Sequence, residues 1–204
     1  MLKAIIFDLD GTILENNKAY DYAFAKVLND LGIDTSNGFT HIGGVGIKSN
    51  WKRFIEIYHL DKNLSLDELE KQTQEAYLHN MEQIKIREGF EDLTRKIKKT
   101  ELKIALATGN DKETTDKLIS HFGMENYFDA ISTIYEAGAP KPEPEIFLLA
   151  AKRLDVLSDE CLVIEDSEAG LESAKEANMA YISIHDYPFT KLSVEKLQSL
   201  YINQ

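Results

Sequence analysis

A single cysteine, Cys161, among 204 residues leaves nothing with which to form an internal disulfide and no thiolate spacing for a structural metal. Basic residues are also scarce, 23 Lys and Arg against 35 Asp and Glu, which gives a formal net charge of −12. A general binder of nucleic acid or of an anionic membrane would need the opposite surface, so any anion this chain handles is gripped locally. No apolar run approaches the length of a membrane span, and the amino terminus enters a strand at once without a basic-plus-apolar leader. We therefore expect a cytoplasmic protein, with no internal repeat or low-complexity tract. At 43% hydrophobic residues the chain can bury a sizeable core.

The most informative segment is Ile5-Ile6-Phe7-Asp8-Leu9-Asp10-Gly11-Thr12. Its apolar, β-branched and aromatic start reads as a buried strand, and Gly11 lets the chain leave sharply, so Asp8 and Asp10 are expected at the strand's carboxyl end. Ligands of open α/β sheets bind there. Period-2 alternation puts both carboxylates on one side, where mutual repulsion invites a proton or a hard, oxygen-binding cation such as Mg²⁺. A calcium loop wants a third acid before the glycine and a glutamate at its end, so the better plain alternative is a strand-end turn with incidental acids.

Three later segments carry similar chemistry. Ile104-Ala-Leu-Ala-Thr108-Gly109-Asn110 reads as a second strand ending in a hydroxyl. Lys141 lies in Gly138-Ala-Pro-Lys141-Pro-Glu-Pro, whose prolines stiffen the approach of a cation. Glu165-Asp166 follow the apolar run Cys161-Leu-Val-Ile. Each has a plainer reading: Thr108 as a helix cap, Lys141 as a solvated loop lysine, Glu165 and Asp166 as acids favouring a helix start. Their agreement on one sheet edge argues against coincidence.

Together, in this order, the four segments resemble the motifs of the haloacid dehalogenase-like hydrolases, and the resemblance covers essentially the whole chain. It implies that Asp8 is a nucleophile phosphorylated by substrate and Asp10 a general acid and base. Mg²⁺ would be held by Asp8, the carbonyl of Asp10, Asp166 and Glu165 through water. Lys141 would add charge beside the nucleophile, while Thr108, Gly109, Asn110 and the amide of Leu9 would hold phosphate oxygens. The implied activity is a phosphatase acting on a small phosphorylated metabolite, the chain being a monomer or weak homodimer. Asp10 argues against dehalogenase and phosphonate-hydrolase branches, which lack a second acid there.

Two alternatives stay open. Phosphomutases of the β-phosphoglucomutase type keep both acids but use a cap histidine and a cap arginine, where this chain has Tyr20 and Lys48; Glu15-Asn16 also replaces the usual Asp-Ser. A binding protein that kept the fold and lost turnover is the other. Lys48, just after the flexible Gly43-Gly44-Val45-Gly46 turn, is a candidate contact to the substrate's leaving group.

The rest of the pattern places these motifs. Helical spacing is predicted over Asn17–Leu31, Ser49–Tyr58 and Ser65–Met81, with Ser65-Leu-Asp-Glu68 as a capping-box start and no strand between about Leu14 and Ile86. From Gly89 the pattern alternates: helix Phe90–Lys99, strand Lys103–Ala107, helix Lys112–Phe122, strand Phe128–Ile134, helix Pro144–Leu154, strand Cys161–Glu165, helix Ala169–Ala177, strand Ala180–Ile184 and a closing helix Ser193–Tyr201. That succession predicts an α/β fold, a Rossmann-like doubly wound parallel sheet with helices on both faces. The resemblance adds an inserted all-helical cap over 15–86, with the core formed by 1–14 and 87–204.

Overall fold

A computed structural model describes residues 1–202. The chain starts with β1 (Ala4–Phe7), whose four residues are all buried, and then β2 (Leu14–Glu15). Three helices follow: α1 (Asn17–Asp30), α2 (Ile47–Ile57) and α3 (Leu66–His79). After β3 (Lys85–Ile86) come α4 (Phe90–Ile97), β4 (Lys103–Thr108), α5 (Lys112–His121), β5 (Ala130–Thr133), the one-turn α6 (Ile134–Ala137) and α7 (Glu145–Leu154). The described chain closes with β6 (Cys161–Glu165), α8 (Glu168–Glu176), β7 (Ala180–Ser183) and α9 (Val194–Ile202). Among the described residues no helix is long and apolar enough to cross a membrane.

Five strands form one parallel sheet in the order β5-β4-β1-β6-β7. The chain builds outward from β1 to β5, then returns to add β6 and β7 on the other side, so strand order reverses at β1, the place where such sheets bind ligands. Register makes the motifs neighbours: Phe7 pairs with Leu106 on β4 and with Ile164 on β6. The residue after each partner is therefore Asp8, Ala107 or Glu165, and Thr108 follows one step later.

Strand alternation divides the core between two faces. Ile5, Phe7, Ile104, Leu106, Leu162 and Ile164 pack on one side with Phe90, Leu93 and Phe189. Ala4, Ile6, Ala105, Ala107 and Val163 pack on the other with Ile146, Phe147 and Ala150 of α7. Small alanines on that face let α7 lie close to the sheet. Both faces are covered, which is why these strands read as continuous apolar runs.

Helices α1 to α3 carry a hydrophobic cluster of their own, in which Phe24, Val27, Leu28, Ile47, Trp51, Phe54 and Leu69 are buried. The Trp51 indole N–H donates to Thr73 Oγ1 at 2.8 Å, so the cluster's largest side chain buries no unpaired polar atom. Ser65 caps α3 as expected, accepting from the Glu68 N–H. One expectation fails at the edges of this segment: β2 and β3 pair antiparallel, Leu14 with Ile86 and Glu15 with Lys85. A two-residue strand is too short to display periodicity, so the ribbon had no sequence signal. Arg87 clamps it, its Nε donating to the Thr12 carbonyl at 2.9 Å and its backbone N–H to Ile13 at 2.7 Å. On the core side β5 is shorter than predicted at both ends, and at its carboxyl end it stops at Thr133 because Thr133 and Glu136 form a capping box that starts α6.

The helical cluster's stability rests on its aromatic packing. Phe54 is buried against Phe24, Trp51 and Phe39 with ring centroids 5.4 to 5.9 Å apart. Phe54→Ala is expected to destabilise the fold by about 3–5 kcal/mol, measured by urea unfolding followed through the fluorescence of Trp51. Tyr22→Ala, at a half-exposed position on α1, should stay within about 0.5 kcal/mol of the parent.

Candidate active site

Lys141 stands at the centre of the strand ends. Its ammonium donates to Asp8 Oδ1 at 2.5 Å and to Glu165 Oε1 at 3.2 Å, and all three side chains are buried. The Phe147 ring lies 5.0 Å from the Nζ atom and closes the remaining side. Burial disfavours the charged lysine, but the carboxylates of Asp8 and Glu165 more than reverse this and hold its pKa above the ordinary range. For Asp8, burial dominates and pushes the carboxyl well up; crowding by Glu165, Asp166 and Asp10 adds to it, and Lys141 opposes it.

Glu165 is fixed from its other oxygen. Oε2 accepts from the Ser167 N–H at 3.0 Å and from Ser167 Oγ at 2.8 Å, and Ser167 Oγ in turn accepts from the Gly170 N–H as the cap of α8. The cap of α8 is thus Ser167, with Glu165 behind it. Asp166 accepts from Thr12 Oγ1 at 3.0 Å, and burial together with the neighbouring Glu165 raises its pKa to about 6.

Asp8, Glu165 and Asp166 each offer a carboxylate oxygen within 4.8 Å of the others. With Asp10 nearby, four acids share one ammonium, and the surplus of negative charge in a buried site suits a hard dication. The donor set, all carboxylate oxygen, is the kind Mg²⁺ takes. Glu165 has both oxygens already engaged by Lys141 and Ser167, so Asp8 and Asp166 have the freer oxygens.

Asp10 lines the same cavity as Asp8, as expected, but different partners hold its carboxylate. Regular pairing of β1 ends at Phe7, and the chain turns at Gly11 with φ of 84°. Its Oδ2 accepts from Asn110 Nδ2 at 2.6 Å, and its Oδ1 accepts from Asn16 Nδ2 and, at 3.2 Å, from the Tyr77 hydroxyl. Burial raises its pKa, while the bonds from Asn16, Tyr77 and Asn110 pull it back. Asn16 also accepts from the Gly11 N–H at 3.0 Å, tying the acid's loop to the start of α1.

Thr108 is buried at the end of β4, and its hydroxyl accepts from the Asn110 N–H at 3.2 Å. The α5 cap is Asp111, not Thr108, since Asp111 accepts from the Thr114 N–H at 2.8 Å. A small cavity of about 60 Å³ opens beside these residues, with Asp8, Asp10, Gly109, Asn110, Lys141 and Asp166 on its core side. Tyr20, Phe24, His41, Ile47 and Asn50 face it from the helical segment, joined by Gly43, Gly44 and Gly46 of the glycine turn.

Lys48 is not among the residues lining that cavity. Its ammonium pairs with Asp67 at 2.6 Å and Glu70 at 3.3 Å on α3 and sits 5.1 Å from the centre of the Tyr135 ring. The glycine turn does reach the site, but Lys48 is the second residue of α2, where acids of α3 satisfy it. Sequence reasoning missed Asn16, Tyr77 and Arg87, whose partners lie 6, 67 and 75 residues away along the chain.

Packing around Glu165 is tight enough to test. A Cβ on Gly170 would lie 1.8 Å from Glu165 Oε2, a carboxylate that Lys141 and Ser167 prevent from moving aside. Gly170→Ala should therefore cost about 1–3 kcal/mol of stability and reduce turnover, whereas Gly32→Ala, with open space around its Cβ but a φ of 84°, should lose stability through backbone strain alone and keep turnover. Thermal unfolding with parallel activity assays separates the two.

Comparison with known proteins agrees with this geometry. A family model described as haloacid dehalogenase-like hydrolase matches residues 2–178. A phosphorylated carbohydrates phosphatase from Thermotoga maritima is 28% identical over 183 residues, covering 89% of this chain and 84% of that protein. A fructose-1-phosphate phosphatase from Escherichia coli is 26% identical over 183 residues, covering 88% and 95% respectively. The crystal structure of a β-phosphoglucomutase from Clostridium difficile superimposes with a TM-score of 0.85 at 26% identity, covering 100% of this chain and 98% of the other. The parallel sheet with its inserted helices, the four acids and lysine at the strand ends and the family match lead to one conclusion: the chain belongs to the haloacid dehalogenase-like hydrolases.

Proposed function

We propose that the protein is a Mg²⁺-dependent phosphatase that hydrolyses a small phosphate monoester through a phosphoaspartyl intermediate on Asp8. The observation that carries this reading is the pairing of Asp8 with Lys141 inside a cluster of acids, beside a separately held Asp10. A carboxylate cannot approach a dianionic phosphate without positive charge, and Lys141 brings one ammonium to within 2.5 Å of the Asp8 oxygen. Asp8 and Asp166, with the Asp10 carbonyl and with Glu165 more remotely, would hold Mg²⁺, which when bound neutralises the phosphate's charge.

In the first step an Asp8 oxygen attacks phosphorus in line and the bond from phosphorus to the ester oxygen breaks. Asp10 gives its proton to that oxygen, and the alcohol leaves. Asp10, now a carboxylate, takes a proton from water as the water attacks phosphorus, and Asp8 is released with free phosphate. Thr108 and the amides of Leu9 and Gly109, with the Asn110 region, hold the remaining oxygens. The unit over 15–86 acts as the cap on this site, and the remainder as the core.

The cavity's lining favours an uncharged leaving group. Among the described residues, the cap's share of the lining includes no lysine or arginine; His41 is its only ionisable cation, and burial lowers the His41 pKa. A phosphomutase must bind a second phosphate on the substrate's far side, and this lining supports that poorly, with Lys48 held by Asp67 and Glu70. A sugar monophosphate fits better, in keeping with the names of the two phosphatase relatives.

The parent enzyme should release phosphate from neutral sugar monophosphates in preference to sugar bisphosphates. Asp8→Asn, nearly isosteric, should fold normally and lose roughly 10⁴-fold or more in kcat; substantial residual turnover would remove Asp8 from the nucleophile's role. Metal dependence has a defined pH sign. The raised carboxyl of Asp166 binds its proton more tightly folded than unfolded, so the metal-free fold loses stability as pH rises from the ordinary value of 3.8 through about 6. Mg²⁺ needs the deprotonated form, so its stabilisation of the fold should be full above about pH 7 and shrink as pH falls through about 6. Thermal unfolding with and without Mg²⁺ measures both trends.

A further inference from the structure

We propose that Tyr77 is a positioning residue for the reaction: from the helix α3 its hydroxyl aims the Asp10 carboxylate and makes that aim depend on how α3 is seated on the core. The inference rests on the reading of Asp10 as general acid and base. Asp10 has no lysine or arginine within hydrogen-bonding reach among the described residues; its two oxygens are held by neutral donors, Asn110 after β4, Asn16 at the start of α1 and Tyr77 on α3.

The direction of the Tyr77 bond follows from chemistry. Asn16 Nδ2 can only donate, and it reaches the Tyr77 oxygen at 2.7 Å, so that oxygen accepts and the phenolic hydrogen is left for Asp10. Tyr77 is fully buried. Its ring stacks on Tyr20 at 4.2 Å with an interplanar angle of 21°. The Tyr20 hydroxyl donates to Asn110 Oδ1 at 2.9 Å, and Asn110 donates to the other Asp10 oxygen. The circuit from Asp10 through Tyr77, Tyr20 and Asn110 back to Asp10 joins α1 and α3 to the core on both sides of the acid.

Helix α3 is set on the core by a stripe that ends at this circuit. Glu70, Gln74 and Tyr77, spaced four and three residues apart, share one helix face and meet Tyr135, Asp111 and Asp10 in turn. A shift of α3 that breaks the outer contacts withdraws the Tyr77 hydroxyl as well. During phosphoryl transfer Asp10 loses its proton to the departing oxygen, and the resulting carboxylate is the form that three donors stabilise. Tyr77 acts through Asp10 in this scheme and touches no reacting atom.

The test uses two esters that differ in their need for a proton. p-Nitrophenolate leaves without one, whereas the oxygen of phenyl phosphate departs far more readily when Asp10 protonates it. Tyr77→Phe keeps the ring and its stacking but removes the hydroxyl. It should lower kcat/KM by about tenfold or more on phenyl phosphate and by no more than about threefold on p-nitrophenyl phosphate. Asp10→Asn should show the same bias more strongly. If Asp10→Asn shows no bias, the reading of Asp10 fails; if it does and Tyr77→Phe loses equally on both esters or on neither, the inference about Tyr77 alone is overturned. Should Tyr77→Phe fail to fold by circular dichroism, Gln74→Leu, which releases α3 from Asp111, is expected to give the same bias, and its absence overturns the proposal.

Discussion

The buried contact of the Lys141 ammonium with the carboxylates of Asp8 and Glu165 is the constraint on which the rest of the structure depends. Removing three charged groups from water costs several kcal/mol for each ion unless geometry and further hydrogen bonds compensate. Here they do: Ser167 engages the second oxygen of Glu165, Phe147 faces the ammonium, and Asp8 receives it at 2.5 Å. The acids still outnumber the cation, and that surplus of negative charge is the electrostatic reason Mg²⁺ is proposed for the site. Local features follow from it, including the absence of a Cβ at Gly170 and a φ of 84° at Gly11, where a Cβ would meet Asp166 at 2.1 Å.

The site separates two carboxylates that are close in sequence into different roles through their surroundings. Asp8 sits against a lysine and other acids; Asp10 sits among the neutral donors Asn16, Tyr77 and Asn110. The first setting suits an oxygen that must meet phosphorus, and the second suits a group that gives and takes a proton. The helical segment then completes the second setting, so the proposed acid–base group is held jointly by Asn110 beside the sheet and by Asn16 and Tyr77 of the helical segment.

Much of this was legible in the chain because the relevant physics is local. Buried parallel strands read as apolar runs, and each of β1, β4 and β6 ends on the residues that bear chemistry, so the sheet order brings Asp8, Thr108, Glu165 and Asp166 to one edge. Lys141 could be placed only through the company it keeps, since a lysine between prolines has no signature of its own. What could not be read depends on distant pairing: Tyr77 finds Asp10 across 67 residues and Arg87 finds Thr12 across 75. Lys48 misled because a glycine turn before a cation suggests reach, while the acids that capture it lie on the next helix. The β2–β3 ribbon is shorter than any periodic pattern.

The central claim is that Asp8 carries the phosphoryl group between the two halves of the reaction. Borohydride added during turnover of a phosphate monoester reduces an acyl phosphate to an alcohol, and peptide mass mapping then locates the reduced side chain. The expected result is reduction at Asp8, dependent on substrate and absent in Asp8→Asn. Substrate turnover with no reduction at position 8, or reduction at another carboxylate such as Asp166, would contradict it.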